Sequence, residues 1–261
     1  MPHIDTHKPG SFCWVELGTT DQPAAQKFYA ALFGWSVLEV PGGAGSYYLY
    51  QLEGRDAAAG YTLRPDQQGM PPHWMLYIAA ADVDASAKRV PELGGKVHMG
   101  PFDAGEFGRL AVSSDPTGAM FTMWQGNKTA GTGITGVHGT LCWADLSTPD
   151  VPTAKAFYEA LFGWKIFAAP TDPSGYLHIQ NGDKDTDMIG GIPPSAHRPP
   201  NAPPHWLVYF YVKDCDVSAA AATAAGGKIL MGPMTIEKVG RLAVIADPQG
   251  AGFAIFKDIP H

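Results

Sequence analysis

A carboxylate and an imidazole recur at matching places in the two halves of this chain. Glu16 is followed by His73 in the first half, and Asp145 is followed by His205 in the second. A carboxylate and an imidazole that lie together can hold, donate or accept a proton, so each pair is a candidate for acid–base chemistry. Whether the members of a pair meet depends on the elements that carry them.

The two halves are copies of one sequence. Residues 28–35 read FYAALFGW and residues 157–164 read FYEALFGW, so seven of eight positions match at an offset of 129. Further blocks match in the same order, and the offset grows only to 132. A colinear series of this kind predicts a tandem repeat of one domain.

The repeat places the predicted domains at residues 10–126 and 138–258. Between them, residues 126–138 (GNKTAGTGITGVH) are rich in Gly and Thr and show no apolar period, which is typical of a linker. The two domains are expected to pack as a pseudo-dimer within one chain. The chain itself is expected to be a monomer or a homodimer.

The composition favours a soluble protein with a substantial core. Of the 261 residues, 45% are hydrophobic and 16% are charged, and the formal net charge is −7. A negative chain is repelled by phosphate backbones and anionic membrane surfaces, so neither nucleic acid nor a membrane is an expected partner. The three cysteines form no disulfide or metal-binding pattern, and no apolar run reaches the length of a membrane span. We therefore expect a cytoplasmic protein.

Each predicted domain divides into two modules, each with a strand, a helix and further strands. In the first module residues 12–17 alternate as a strand does, Asp21 and Pro23 start a helix, and Gly34 ends it. The other three modules begin near residues 73, 141 and 205 and keep the same order. The predicted fold class is α+β, with four βαβββ modules that form two tandem domains.

These features resemble the vicinal oxygen chelate superfamily, which includes glyoxalase I, extradiol dioxygenases, and fosfomycin and bleomycin resistance proteins. The resemblance rests on the module order, on FY-x-x-LFGW at the first helix and on DP-x-G before the last strand, and it covers about residues 10–258. The tandem arrangement is similar to bacterial two-domain glyoxalase-like proteins of the hydroxylase or 27-kDa antigen type. The resemblance implies that each pair of modules forms a cup. It does not specify one reaction, because this fold hosts several.

In the family, side chains pointing into the cup bind a divalent metal, and here other residue types stand at those positions. Indole, thioether and aliphatic side chains are poor ligands for such a metal, so we expect no metal and no cofactor. Asp56 and Asp187 stand at the margin of the fourth ligand position in each copy. The other implied positions hold Trp14, Met75 and Thr122 in the first copy, and Trp143, Leu207 and Ala254 in the second.

Strand alternation predicts which other side chains point into each cup. Each cup is expected to combine aromatic walls with one carboxylate and one imidazole, as pockets for small molecules commonly do. The predicted ligand-binding residues are Trp14, Met75, Tyr77, Thr122 and Trp124 in the first cup, and Trp143, Leu207, Tyr209 and Phe256 in the second.

Three roles stay open for the pairs Glu16 with His73 and Asp145 with His205. They could be catalytic acid–base groups, because burial among apolar side chains raises the pKa of a carboxyl group. They could instead orient a ligand, or they could be structural, with each His capping backbone groups at the rim of its cup.

The repeated Gly-Arg-Leu-Ala-Val carries Arg109 and Arg241. An Arg that enters a strand after Gly could bind a ligand carboxylate in a bidentate manner. We favour an ion pair within the protein instead, with Glu16 or Asp115 as the partner.

Two functions from different classes follow from the sequence. In the first, the chain is a metal-independent protein that binds a small apolar or aromatic molecule in its cups. In the second, it is a glyoxalase-like enzyme, of lyase, isomerase or hydroxylase type, that acts on a small carbonyl or hydroxylated compound. In the enzyme, Glu16 with His73, or Asp145 with His205, would be the acid–base groups.

Overall fold

A computed structural model describes residues 3–42, 45–67, 69–170, 172–199 and 201–259. The first half contains β1 (Phe12–Thr19), α1 (Gln22–Phe33), β2 (Ser36–Gly42), β3 (Gly45–Leu52), β4 (Arg55–Thr62), β5 (His73–Ala79), α2 (Val83–Glu92), β6 (Lys96–Ala104), β7 (Gly108–Ser114) and β8 (Met120–Gly126). The second half contains β9 (Leu141–Ser147), α3 (Val151–Phe162), β10 (Lys165–Ala168), β11 (Leu177–Gln180), β12 (Met188–Ile192), β13 (His205–Tyr211), α4 (Cys215–Ala224), β14 (Lys228–Ile236), β15 (Gly240–Ala246) and β16 (Gly252–Asp258).

Each half forms one eight-stranded sheet. The strand order is β2-β3-β4-β1-β5-β8-β7-β6 in the first sheet and β10-β11-β12-β9-β13-β16-β15-β14 in the second. Two modules therefore join through their first strands, which pair antiparallel, while each first strand pairs parallel with the last strand of its own module. The predicted α+β fold of four βαβββ modules is confirmed.

The helices begin and end where the local sequence predicts. The side chain of Asp21 accepts a hydrogen bond from the backbone N–H of Ala24, and Asp82, Asp150 and Asp214 cap the other helices in the same way. Helix α1 stops at Gly34, whose φ of 73° is a left-handed conformation that favours glycine. Among the described residues, no helix is both long enough and apolar enough to cross a membrane.

The two halves share one hydrophobic core. The ring of Phe33 in α1 lies 5.0 Å from that of Phe210 in β13, and the ring of Phe121 in β8 lies 5.7 Å from that of Tyr158 in α3. The first helix of each half thus packs against the sheet of the other half. The aromatic residues of the repeated FY-x-x-LFGW belong to this interface.

Polar groups within this core are paired across the two halves. The Tyr29 hydroxyl donates to an Asp247 carboxylate oxygen at 3.1 Å and accepts from the Trp74 indole N–H at 3.0 Å. Tyr29 is fully buried, so these bonds satisfy a hydroxyl that water does not reach. They also specify how the two halves align.

Residues 126–138, predicted to be a linker, are bound to the first sheet. The Thr132 N–H donates to the Cys13 carbonyl at 2.7 Å, and the Gly133 N–H donates to the Asp56 carbonyl at 2.8 Å. Ile134 is 1% exposed and belongs to the shared core. The few apolar residues of this segment, such as Ile134 and Val137, form no period, which is why its pattern predicted an interdomain linker.

Candidate functional site

The face of each sheet that looks away from the shared core carries a separate group of apolar side chains. We call these faces the first cup and the second cup. The first contains Cys13, Trp14, Tyr47, Leu49, Ala59, Met75, Tyr77, Ala79, Ala104, Leu110 and Trp124. The second contains Cys142, Trp143, Leu207, Tyr209, Leu242, Val244, Ala254 and Phe256.

Alternation along the strands places the side chains on these faces. In β8, Phe121 and Met123 belong to the shared core, whereas Trp124 belongs to the first cup, and Thr122 has the same parity as Trp124. Met75 is half-buried, whereas its neighbours Trp74 and Leu76 are fully or nearly buried. Partial exposure is expected of a side chain in the wall of a cup that is open to solvent. The structure thus puts the predicted ligand-binding residues of each copy on one face.

Two of the positions implied for metal ligands in the first copy, Trp14 and Thr122, lie in a row across the first sheet with Tyr77 between them. Trp14 of β1 lies opposite Tyr77 of β5, and Tyr77 lies beside Thr122 of β8. In the second sheet, Trp143 lies opposite Tyr209, which lies beside Ala254. The row therefore consists of aromatic, hydroxyl and methyl side chains.

A carboxylate held by two tyrosines stands in the first cup. The hydroxyls of Tyr47 and Tyr77 donate to the same oxygen of Glu16, Oε2, at 2.7 and 3.0 Å. The Trp14 indole N–H lies 3.4 Å from the Tyr47 hydroxyl. Tyr47 comes from β3 and Tyr77 from β5, so side chains from both sides of β1 converge on this carboxylate.

The second cup repeats this cluster with a shorter carboxylate. Tyr176 donates to Oδ1 of Asp145 at 2.5 Å, and Tyr209 donates to Oδ2 at 2.8 Å. The Trp143 indole N–H also donates to Oδ1, at 3.0 Å. The edge of the His178 ring meets the Tyr176 ring at a centroid distance of 5.1 Å.

Tyr47 and Tyr176 are site residues that the sequence reasoning missed. The strand register makes them equivalent. Glu16 pairs with Ala59 and Asp145 pairs with Gly191, and each Tyr lies two residues before the residue that pairs with Ala59 or Gly191 on the next strand. The available signal was a Tyr four residues before a Gln in both copies, at Gln51 and Gln180. The third strands of the first module in each half, β3 and β11, diverge in sequence, so this spacing is their main trace of the repeat.

Burial controls the protonation of these groups. It raises the pKa of Glu16, and the hydrogen bonds from Tyr47 and Tyr77 offset part of that rise. Burial also raises the pKa of Asp145, and the hydrogen bonds from Tyr176 and Tyr209 offset part of that rise. Glu16 is half-buried, whereas Asp145 is only 7% exposed.

The two imidazoles do not bond to these carboxylates. Nδ1 of His73 lies 2.9 Å from the carbonyl oxygen of Pro71, and Nδ1 of His205 lies 2.9 Å from that of Pro203. Each His therefore caps the turn that precedes its strand. The acid–base pair of carboxylate and imidazole is absent from both described cups, and a carboxylate–tyrosine cluster occupies each cup instead.

The two repeated arginines pair within the protein, but the expected partners were wrong. Arg109 binds Asp84 through two nitrogens, at 2.6 and 2.9 Å, and Arg241 binds Asp216 in the same bidentate way. Each Asp lies in the first turn of the second helix of its domain. Spacing along a strand cannot predict a partner on a helix. Both ion pairs lie on the surface and away from the cups.

The donor set in the cups does not suit the divalent metal of this fold. In the described part of the chain, no three His, Cys, Asp or Glu side chains are grouped as a metal would require. Glu16 is the carboxylate nearest the expected row, and its Oε2 is taken by two phenol donors. Asp56 bonds to the Gln51 side chain, and Asp187 accepts backbone N–H groups of its own turn.

Replacing Asp145 by Asn should stabilise the protein at neutral pH and change little in acid. A raised carboxyl pKa in the folded state contributes stability below the ordinary pKa of Asp, and that contribution is lost as pH rises through the raised value. Asn keeps an acceptor for the tyrosines without a charge. Guanidinium unfolding of the variant and the parent chain at about pH 4 and about pH 8 measures the difference.

The Asp150→Asn variant is the matched control. Asp150 caps α3, and its side-chain and backbone hydrogen bonds from Thr153 lower the pKa of its carboxyl group. Its contribution therefore has the opposite sign, so this variant should lose stability at neutral pH and converge on the parent in acid. A stability gain for Asp145→Asn that is equal at both pH values would contradict burial as the cause.

Comparison with known proteins places the chain in a family. A model described as "Glyoxalase/Bleomycin resistance protein/Dioxygenase superfamily" matches residues 11–123 and again residues 140–255. The chain belongs to this superfamily. Both matches fall on the two halves described above, so the duplicated superfamily domain accounts for most of the sequence.

Several named proteins resemble the chain along all or nearly all of its length. It is 42% identical to "Putative glyoxylase CFP32" of Mycobacterium bovis and Mycobacterium tuberculosis, with all of both chains covered. It is 36% identical to "Anthracycline biosynthesis protein DauV" of Streptomyces sp. (strain C5), over 95% of this chain and 93% of that protein.

Among solved structures, the Mn(II)-bound glyoxalase from Novosphingobium aromaticivorans has the same fold. It superimposes with a TM-score of 0.67 over 97% of this chain and 84% of that one, at 15% sequence identity. At this identity the likeness concerns the fold alone.

Proposed function

We propose that this protein binds a small, largely aromatic molecule on the cup face of a domain and does so without a metal. One observation carries the proposal: a half-buried carboxylate, held by two tyrosine hydroxyls, stands among Trp, Tyr and Met side chains in place of a metal-ligand set. Aromatic walls provide contact area, and one polar cluster orients the ligand.

The chemistry of the donors supports metal independence. A divalent metal needs several oxygen or nitrogen donors that converge with open positions for substrate. Trp14 and Tyr77 occupy the centre of the row instead, and Glu16 already accepts two hydrogen bonds there. The binding we propose therefore relies on stacking and hydrogen bonds.

The name of one relative supports an aromatic ligand. One relative that shares 36% identity is named for anthracycline biosynthesis. Anthracyclines are polycyclic aromatic compounds, and a flat ring system suits a site walled by Trp14, Tyr77 and Trp124. We extend to this chain only the aromatic character of such a ligand.

A second function, proton transfer on a small carbonyl or hydroxylated compound, is supported by the raised pKa of Glu16. A carboxyl group with a raised pKa is a stronger base once ionised, and it keeps a proton to donate at higher pH than an ordinary Glu does. Deuterium incorporation into hydroxyacetone in heavy water, followed by NMR, tests it. Exchange that depends on Glu16 would favour the enzyme, and the same slow exchange with and without protein would rule out this reaction.

Titration of the purified chain with 2-naphthol, by calorimetry, tests the binding proposal. Saturable binding with the same affinity before and after treatment with EDTA is expected. The Met75→Ala variant, which removes a half-buried wall of the first cup, should bind about tenfold more weakly, since several CH₂-sized contacts are lost. The exposed Val217→Ala variant should bind like the parent. Binding that EDTA abolishes would overturn metal independence.

A further inference from the structure

The two cups differ in how far the protein itself satisfies the carboxylate. Both oxygens of Asp145 accept hydrogen bonds, Oδ1 from Trp143 and Tyr176 and Oδ2 from Tyr209. In the first cup both bonds go to Oε2 of Glu16, and no described residue donates to Oε1. Both oxygens of Asp145 thus accept hydrogen bonds, whereas Oε1 of Glu16 has no donor among the described residues.

The pairing register of the strands explains why Asp145 is less exposed than Glu16. Gly191 stands where the first domain has Ala59, and a methyl group at Gly191 would lie 1.9 Å from the Tyr176 hydroxyl oxygen. The missing side chain therefore lets Tyr176 move in over the shorter Asp145. The result is a carboxylate that is 7% exposed, whereas Glu16 stays half-buried.

A second polar group distinguishes the first cup. The hydroxyl oxygen of Thr122 is buried on the cup side of β8 and has no hydrogen-bond partner among the described residues. A buried hydroxyl without a partner costs free energy, and a ligand atom can supply the partner. The equivalent residue in the second domain is Ala254, which has no polar side chain.

The second cup keeps one unsatisfied polar atom of its own. Nδ1 of His178 is buried without a partner among the described residues. Its ring meets Tyr176 edge-on at 5.1 Å and lies 6.2 Å from the Phe167 ring, so it belongs to the closed wall over Asp145. Both oxygens of the Asp145 carboxylate beside it already accept hydrogen bonds within the protein.

We propose that the first cup alone binds the ligand, and that the ligand is an aromatic compound with a hydroxyl group that donates to Oε1 of Glu16. The second cup is then a structural copy in which both oxygens of the carboxylate are hydrogen-bonded within the protein. This inference rests on the proposed binding function and names the cup and the chemical class of its ligand. A phenol or an enol on an aromatic ring has the required donor.

Two naphthalenes that differ in one hydrogen-bond donor test this inference. Titration of the whole chain with 2-naphthol should give one site per chain, and 2-methoxynaphthalene should bind more weakly. In Glu16→Gln an amide N–H₂ group replaces the free oxygen, so 2-naphthol should bind about tenfold more weakly, which is about 1.4 kcal/mol. The affinity for 2-methoxynaphthalene should stay the same, and that result also shows that the variant is folded.

Indole N–H signals in the NMR spectrum locate the bound naphthol. The signal of Trp14 should shift on binding and that of Trp143 should not, each assigned from its Trp→Phe variant. The control variant Asp84→Asn removes a surface carboxylate that pairs with Arg109 and should bind 2-naphthol like the parent.

The outcomes separate this inference from the binding function on which it rests. Two sites per chain, or an equal shift of the Trp143 signal, would overturn the restriction to the first cup and leave the binding function standing. Equal loss of both naphthalenes in Glu16→Gln would overturn the role of the hydroxyl. If neither naphthalene binds the parent chain, the binding function itself fails.

Discussion

Replacing Phe253 by Ala should destabilise both halves of the protein together, by about 3–5 kcal/mol. Phe253 is fully buried in β16, and its ring lies within 6.2 Å of those of Phe28, Tyr29 and Phe33 in the other half, as well as Phe210 in its own. The cavity left by the ring would open in the shared core. Guanidinium unfolding, followed by circular dichroism and by tryptophan fluorescence, measures the loss.

The same strand supplies the control. Phe256 points to the second cup and is only half-buried, so Phe256→Ala should cost much less than Phe253→Ala. Because the core is continuous, the two probes should report one transition for the parent and for both variants. Two separate transitions, of which only one moves in Phe253→Ala, would show that the halves fold independently.

Replacing Gly191 by Ala should cost about 2–4 kcal/mol, because the new methyl group overpacks the cluster and breaks a hydrogen bond to a charged group. The added Cβ would meet the Tyr176 hydroxyl oxygen at 1.9 Å and its ring carbon Cζ at 2.1 Å. Tyr176 must then leave Asp145, to which it donates at 2.5 Å. Urea unfolding at neutral pH measures the cost.

A second substitution should rescue this loss. The first domain combines the longer Glu16 with Ala59, so adding Asp145→Glu to Gly191→Ala gives the second cup the same pairing and should restore most of the stability. Gly252→Ala is the control, because a Cβ there meets nothing within 4 Å and should change little. If the double variant is as unstable as Gly191→Ala alone, the longer carboxylate does not compensate for the added methyl group.

Local patterns in the sequence predicted the fold well, because each rests on neighbouring residues. The repeat predicted two equivalent halves, and Asp21 and Gly34 marked the ends of α1 where the structure has them. The two-residue period of a strand put Thr122 and Trp124 on one face, which is the face they occupy. These inferences need no knowledge of what lies on the other side of a strand or helix.

The contacts that single-sequence patterns missed join residues far apart in the chain. Tyr47 reaches Glu16 across an intervening strand, and Arg109 reaches back to Asp84 on a helix. Neither partner can be read from spacing along one element. The sequence therefore favoured the more familiar pairing of carboxylate and imidazole and did not predict tyrosine donors to the carboxylates. In the structure the two histidines bond instead to Pro71 and Pro203.

The shared core has a consequence for synthesis of the chain on the ribosome. Helix α1 ends at Phe33, but the rings that cover it include Phe253, which is made 220 residues later. At the usual speed of translation that interval lasts about 10–40 s. Throughout it the part of the first helix that Phe253 covers is exposed, so nascent chains need a chaperone or a temporary contact there until the second sheet emerges.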